Sequence, residues 1–387
     1  PLDKQEALNV CNFCRQHKIY FVFAEFLQRG SSTQRNLVLR RKINRSQFYD
    51  KKTVQEIFRA GGEYFLGRLI LGESGGMLYW PKEYLIGRRV GNYPNLKAAK
   101  NLVEAKNFYL EYLKQVIDLE KSLGECKFVD IDGSIVFKYH IEAGFDIPVL
   151  EAMPGDSNLM YASIRGAAKA YNKQEWGAHI AMACYGGVKV DTFWLKRWKT
   201  SLYYAFLNGA RFIYPESGHF SYSQQGENYG FHSFGPRKTR EILREFNQFC
   251  QIHSRPTQGP KIKIGIVYGN LDGFAGLWNK YVWGQFRGKK WLHREPEWSW
   301  DYLNNVYHKE EWFNSYLKGE TDFSGNPPYG LYDVVPIESS LDNLMRYGCL
   351  IFLGWNTMTA EIYQKLKEYV QTGGHLIMAI PHLSTSI

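Results

Sequence analysis

Strand-length apolar runs alternate with longer amphipathic segments along much of this chain, most regularly between Phe145 and Phe220. There FDIPVLEAM, WGAHIAM and RFIYPES each break at a Pro or Gly cluster, with helix-length segments between them. The same grammar extends upstream. KIYFVFAEF, LGRLILGE and FVDID read as strands; residues 3–17, 46–60 and 96–123, the segment IVFKYHIEAG and residues 236–253 read as helices. Strands alternating with helices at this spacing predict a parallel sheet with helical cover. No phosphate-binding glycine fingerprint opens any of the helices, which favours a (β/α)8 barrel over a doubly wound sheet. If RFIYPES is the eighth barrel strand, KIYFVFAEF is the third, and the first two lie upstream of this sequence.

The pattern changes after HSRPTQGPK. KIKIGIVYG, YDVVPIES, CLIFLGW and HLIMAIP are short and nearly all apolar, and TAEIYQKLKEYVQTGG is an amphipathic helix closed by glycines. The expected organisation is a barrel over 1–253, a linker at 254–260 and a flavodoxin-like α/β unit over 261–387. An insert at 271–330 carries Trp278, Trp283, Trp291, Trp298, Trp300 and Trp312. Such a cluster suits either a roof over the barrel's mouth or an oligomer interface. The strand-like ending HLIMAIPHLSTSI suggests a piece of a longer protein.

Composition narrows the partners. At 387 residues and 44 % hydrophobic content, the chain can bury one large core and a smaller one. A net charge of +10 raises nucleic acid, anionic membrane and acidic polysaccharide as partners. The basic residues are scattered, though, and runs such as Arg40-Arg41-Lys42 are short, so a nucleic-acid binder rests on charge alone. No apolar run approaches the roughly 18 residues that a membrane span needs. The six cysteines are too dilute for a disulfide scaffold, and Cys11 and Cys14 read as neighbours on one buried helix face rather than half of a metal site. Aromatics make up 16 % of the chain, and flat rings with polar tips are what stacking on sugars requires.

Candidate chemistry gathers at the strand ends. Glu73, Glu151 and Glu216 each stand where an apolar run breaks, and a carboxylate there is better explained by chemistry than by packing. Glycosidic cleavage needs one carboxyl group protonated and one ionised. Glu151 and Glu216 are the first pair, with Glu73 either the acid or a partner for a sugar hydroxyl. Tyr79, Trp80, His179, Tyr185, Tyr214 and His219 share those ends as candidate substrate contacts. Trp176 reads as packing, and Arg165 as the partner of an acid. No metal or cofactor is expected. The rival reading is a carbohydrate-binding or scaffold protein in which the glutamates diverge.

These motifs resemble those of glycoside hydrolases related to β-galactosidases that carry an amidotransferase-like trimerisation domain. VLEAMPGDSN, Val149 to Asn158, is similar to their nucleophile motif, and GARFIYPE, Gly209 to Glu216, to a later strand. On that likeness Glu151 is the nucleophile. Two departures stand out: Glu73 follows Gly72 where that family has an asparagine before its acid/base glutamate, and the strand WGAHIAM separates the two motifs. The spacing of Glu151 and Glu216 also resembles that in pectin-directed bacterial α-galacturonidases. Either likeness implies a secreted or periplasmic glycosidase, possible assembly through the second unit, and, with a basic chain, uronic-acid sugars. The second unit resembles class I glutamine amidotransferases in outline. Cys349, however, begins its strand instead of standing on a sharp turn, so that unit is expected to be catalytically silent.

Overall fold

The computed structural model describes residues 4–24, 51–72, 75, 78, 97–123, 126–152, 157–173, 175–181, 192–215, 234–276, 281–285, 288–307 and 330–385. In chain order the elements of the first unit are α1 (Lys4–Gln16), β1 (Phe21–Ala24), α2 (Lys51–Gly61), β2 (Phe65–Gly72), α3 (Leu102–Leu123), β3 (Phe128–Asp132) and α4 (Phe137–Ala143). There follow β4 (Ile147–Ala152), α5 (Ser157–Ala170), β5 (Gly177–Ile180), α6 (Thr192–Leu207), β6 (Phe212–Pro215) and α7 (Phe234–Ile252). The six strands form one parallel sheet in sequence order, β1-β2-β3-β4-β5-β6, with β1 and β6 at its edges among the described residues. Each helix therefore steps the chain one strand along, with no reversal of direction. Gly144 ends α4 in the left-handed region, at φ 115°.

Strand alternation sorts the side chains onto two faces. Leu150, Ala152, Ala178 and Ile180 pack outward against Met160, Ile164, Trp194, Trp198 and Leu202 of α5 and α6. Leu69, Val129, Ile131, Ile147 and Val149 pack together on the opposite face, joined by Val22, Phe212 and Tyr214. On that second face the rim at the carboxyl ends of the strands is available for polar side chains.

After residues 253–263 come β7 (Ile264–Tyr268), α8 (Glu295–Tyr307), β8 (Tyr332–Pro336), α9 (Leu341–Leu344), β9 (Cys349–Leu353), α10 (Ala360–Gln371) and β10 (His375–Ile377). Their strands form a second parallel sheet, ordered β10-β9-β7-β8. Val267, Val335, Leu350 and Phe352 face α9 and α10 through Leu344, Ile362, Leu366 and Tyr369. Ile266, Tyr268, Tyr332 and Val334 face the other way, onto Tyr139 of α4 and Leu159 and Ala162 of α5.

Helix α5 consequently lies between both sheets, and Ser157 through Ala168 are all buried. Arg165 emerges from this helix to donate to Asp333 at 2.6 Å and to the Tyr332 carbonyl at 2.6 Å. Lys169 and Tyr347 bond the same carboxylate at 2.7 and 2.8 Å. Asp333 is fully buried, and although burial alone would raise its pKa, Arg165 and Lys169 hold it below the usual carboxylate value. The linker separates the two sheets along the chain while their cores are joined.

Three of the insert's six tryptophans depart from both expected roles. Trp283, Trp291 and Trp300 belong to the shared core with Tyr109, Tyr139 and Tyr268, not to a mouth or an outer interface. Trp283 lies 4.8 Å from the Tyr139 ring, and Trp300 stacks on Phe274 at 5.6 Å. Trp298 is exposed, and Trp278 and Trp312 lie outside the described residues. The area that these rings bury outweighs what they would contribute at a solvent-facing rim.

Asp272 anchors this insert by accepting from the Phe274 N–H and the Trp300 indole N–H, each at 2.9 Å. Burial pushes its carboxyl up to about 7 despite those two donors, with Glu297 adding to the rise. Nearby, burial pushes His293 down to about 4. The folded protein keeps the Asp272 proton where the unfolded chain has lost it, so this contribution to stability falls as pH rises from 3.8 to about 7. His293 works oppositely, its contribution rising with pH between about 4 and 6.5. A difference curve between the wild type and Asp272→Asn, from urea unfolding at several pH values, isolates the carboxyl. The wild type's advantage is expected to shrink by about 4 kcal/mol across that range. A flat difference curve would show that Asp272 ionises normally.

Candidate active site

The rim at the carboxyl ends of β4, β5 and β6 carries one polar residue per strand at the same level. Glu151 pairs in register with His179, and His179 with Tyr214. Each is the next-to-last residue of its strand, and parallel neighbours in register project to the same face. That face is the one bearing Val149 and Tyr214 in the inner apolar cluster. Adjacent parallel strands lie about 4.8 Å apart, so the row spans about 10 Å from Glu151 to Tyr214.

Glu151 is buried, at 7 % exposed, and His179 and Tyr214 are half-buried. The His179 and Tyr214 rings lie 5.0 Å apart at 57°. Burial raises the Tyr214 phenol well above its ordinary value, and the Glu151 charge adds to the rise, so Tyr214 keeps its proton at any working pH. Its hydroxyl is buried with no hydrogen-bond partner among the described residues. An enclosed hydroxyl left unmatched costs about 1–3 kcal/mol, an expense more readily explained by a ligand than by packing. A buried carboxyl, an imidazole and a neutral phenol donor in one row can exchange a proton and hold hydroxyl groups. No family model and no curated protein matches this chain.

Of the residues singled out from the sequence, the fold brings together Glu151, His179 and Tyr214. Glu73, Tyr79, Trp80, Tyr185, Glu216 and His219 lie outside the described residues. Trp176 is buried, and Cys11 and Cys14 lie on the buried side of α1 as free thiols, with burial pushing Cys11 up to about 11.

A second polar cluster went unread in the sequence. Asp130 and Asp132 project from β3, and His140 comes from α4; all three are fully buried, with ligand-type atoms within 4.8 Å of one another. This donor set could hold a cation, but its capacity is already used. His140 pairs with Asp130 through Nδ1 and with the Tyr109 hydroxyl through Nε2, at 2.8 Å for the latter. Asp132 accepts from the Ser134 N–H at 2.7 Å and from the Gly75 N–H. Burial opposes the imidazolium of His140, but Asp130 and then Asp132 raise it above the usual histidine value. Burial also raises Asp132, against the pull of His140. Through Asp132 the cluster holds the backbone of Gly75, three residues beyond the end of β2. The signal that would have found it is the i, i+2 pair Asp130 and Asp132 on one face of an otherwise apolar strand.

Proposed function

We propose that this chain is the catalytic part of a glycoside hydrolase, built on a (β/α)8-type barrel and followed by a flavodoxin-like unit. The observation that carries the reading is the row Glu151, His179 and Tyr214, in register at the carboxyl ends of adjacent parallel strands. Sequential strand order with helices outside supports the barrel. The order β8-β7-β9-β10 agrees with the first four strands of a 2-1-3-4-5 sheet and supports the flavodoxin-like unit.

In this mechanism Glu151 is the ionised carboxylate, acting as nucleophile or as base toward water. Glu216 or Glu73 supplies the protonated carboxyl that assists the departing oxygen. His179 and Tyr214 bind sugar hydroxyls, the Tyr214 phenol as a neutral donor. A separation of roughly 5 to 5.5 Å between the two carboxyl groups gives retention, and roughly 6.5 to 9.5 Å gives inversion. The net charge of +10 favours uronic-acid glycans. The second unit serves assembly, including association of copies of the chain. Burial raises the Cys349 thiol above its ordinary value, the opposite of what a nucleophilic cysteine needs. A secreted or periplasmic location follows from a polysaccharide substrate.

The test is turnover of aryl glycosides and plant and marine oligosaccharides, uronides included, with the anomer of the first product read by proton NMR. Release of one sugar class with a single anomer supports the reading. Binding of those sugars without any cleavage would replace it with a carbohydrate-binding protein.

A further inference from the structure

At the opposite end of the strands from the Glu151 row, the molecule has a second concavity. A cavity of about 380 Å³ opens where the end of α5 and the starts of β5 and β6 meet the 253–263 connection and the turn before β9. Six basic side chains line it: Arg165, Lys169, Lys173, Arg211, Arg255 and Arg346. The carboxylates that pair with them among the described residues are Asp333, for Arg165 and Lys169, and Glu175, for Arg211. Glu175 is shared with Lys127.

Three of the six, Lys173, Arg255 and Arg346, make no ion pair among the described residues. Arg255 donates to the neutral Gly209 carbonyl at 2.6 Å, and Arg346 to the neutral Gln258 amide at 3.3 Å. The carboxyl end of α5 carries a partial negative charge, which accounts for Lys169 and Lys173 nearby. It does not account for Arg255 and Arg346, which come from the linker and the second unit. Burial lowers the Arg255 pKa and Arg211 lowers it further against the pull of Glu175, while Lys169 is lowered by burial and by Arg165 and Arg346 against the pull of Asp333. Like charges are being held together at a cost.

We infer that this cavity binds a phosphorylated small molecule, its phosphate held by Arg255, Arg346 and Lys173 at the seam between the two sheets. Guanidinium groups match phosphate oxygens two at a time, which fits two arginines converging from different segments. The volume falls in the range of small-ligand pockets and exceeds what a bare oxyanion fills. Trp176 supplies an apolar wall, and Thr257 and Gln258 supply neutral polar contacts for the remainder of the ligand. Because the cavity joins the linker, α5 and the turn before β9, its occupant stabilises one arrangement of the two sheets. This inference stands independently of the reading of the Glu151 row.

The test is thermal unfolding of the full chain in inorganic phosphate, in glucose 1-phosphate and in sodium chloride, all at one ionic strength. Both phosphates are expected to raise the midpoint saturably over chloride, and Lys173→Gln/Arg346→Gln to weaken the apparent Kd at least tenfold while leaving the chloride midpoint in place. Tighter binding of glucose 1-phosphate than of phosphate supports a phosphate ester as the ligand, and the reverse order would overturn it in favour of the free oxyanion. The single variant Lys173→Gln, whose side chain makes no ion pair among the described residues, provides the same comparison if the double variant is unstable. Equal midpoints in phosphate and chloride, or an unaltered phosphate response in both variants, would overturn the inference.

Discussion

Glu151→Gln is expected to lower kcat on the best glycoside by about a thousandfold or more, the scale of removing a positioned acid, base or nucleophile. The amide keeps the volume and one acceptor oxygen of the carboxyl, so the fold should tolerate it. Glu151 is nearly enclosed at the rim of β4, where a charge is expensive unless it is used. Tyr214→Phe serves as the graded comparison. It deletes only the buried hydroxyl two strands away and is expected to cost about tenfold, mainly in KM, because a neutral donor binds ground state and transition state alike. Steady-state kinetics and unfolding midpoints on the same preparations separate chemistry from folding. Wild-type turnover in Glu151→Gln would remove this residue from the chemistry, whatever the other variants do.

Gly166→Ala is expected to destabilise the protein by about 3 kcal/mol, even though it replaces glycine in mid-helix with the best helix former. A Cβ at this position would stand 1.9 Å from the Val334 carbonyl oxygen and 2.7 Å from its carbon. Both atoms belong to the backbone of β8 and cannot swing aside as a flexible side chain would. The helix propensity gained is about 1 kcal/mol, and relieving the overlap requires α5 to back away from the second sheet, loosening the core it shares with Tyr332 and Val334. The Arg165 contacts to Asp333 and Tyr332, one residue away, would lengthen with it. Urea unfolding decides between the two effects: a midpoint unchanged or raised would mean that α5 does not approach β8 this closely.

Much of the architecture was readable from spacing alone. Apolar runs of strand length that break at Gly or Pro clusters marked β4, β5 and β6, and Gly144 marked the end of α4, because these signals are local and depend only on backbone conformation. The position of Glu151 at a strand end came from the same source. Trp283, Trp291 and Trp300 were read wrongly for a physical reason. Composition says that Trp283, Trp291 and Trp300 are large and amphipathic, but whether such rings cover a cleft or fill a core depends on what stands opposite, and that comes from α3 and α4. His140 was missed because a histidine in a short helix has no local mark of its partner, and Asp130 approaches it only once β3 and α4 have packed.

The order of strands and helices, their parallel pairing and the presence of acids at strand ends belong to the chain itself, since periodicity and turn chemistry act over a few neighbouring residues. Tertiary structure alone decided that β4, β5 and β6 align Glu151, His179 and Tyr214 on one level, that α5 is buried between two sheets, and that basic residues from positions 165 to 346 surround one cavity. Register and the juxtaposition of distant segments are set by long-range burial, which pairs side chains without leaving a trace in their sequence spacing.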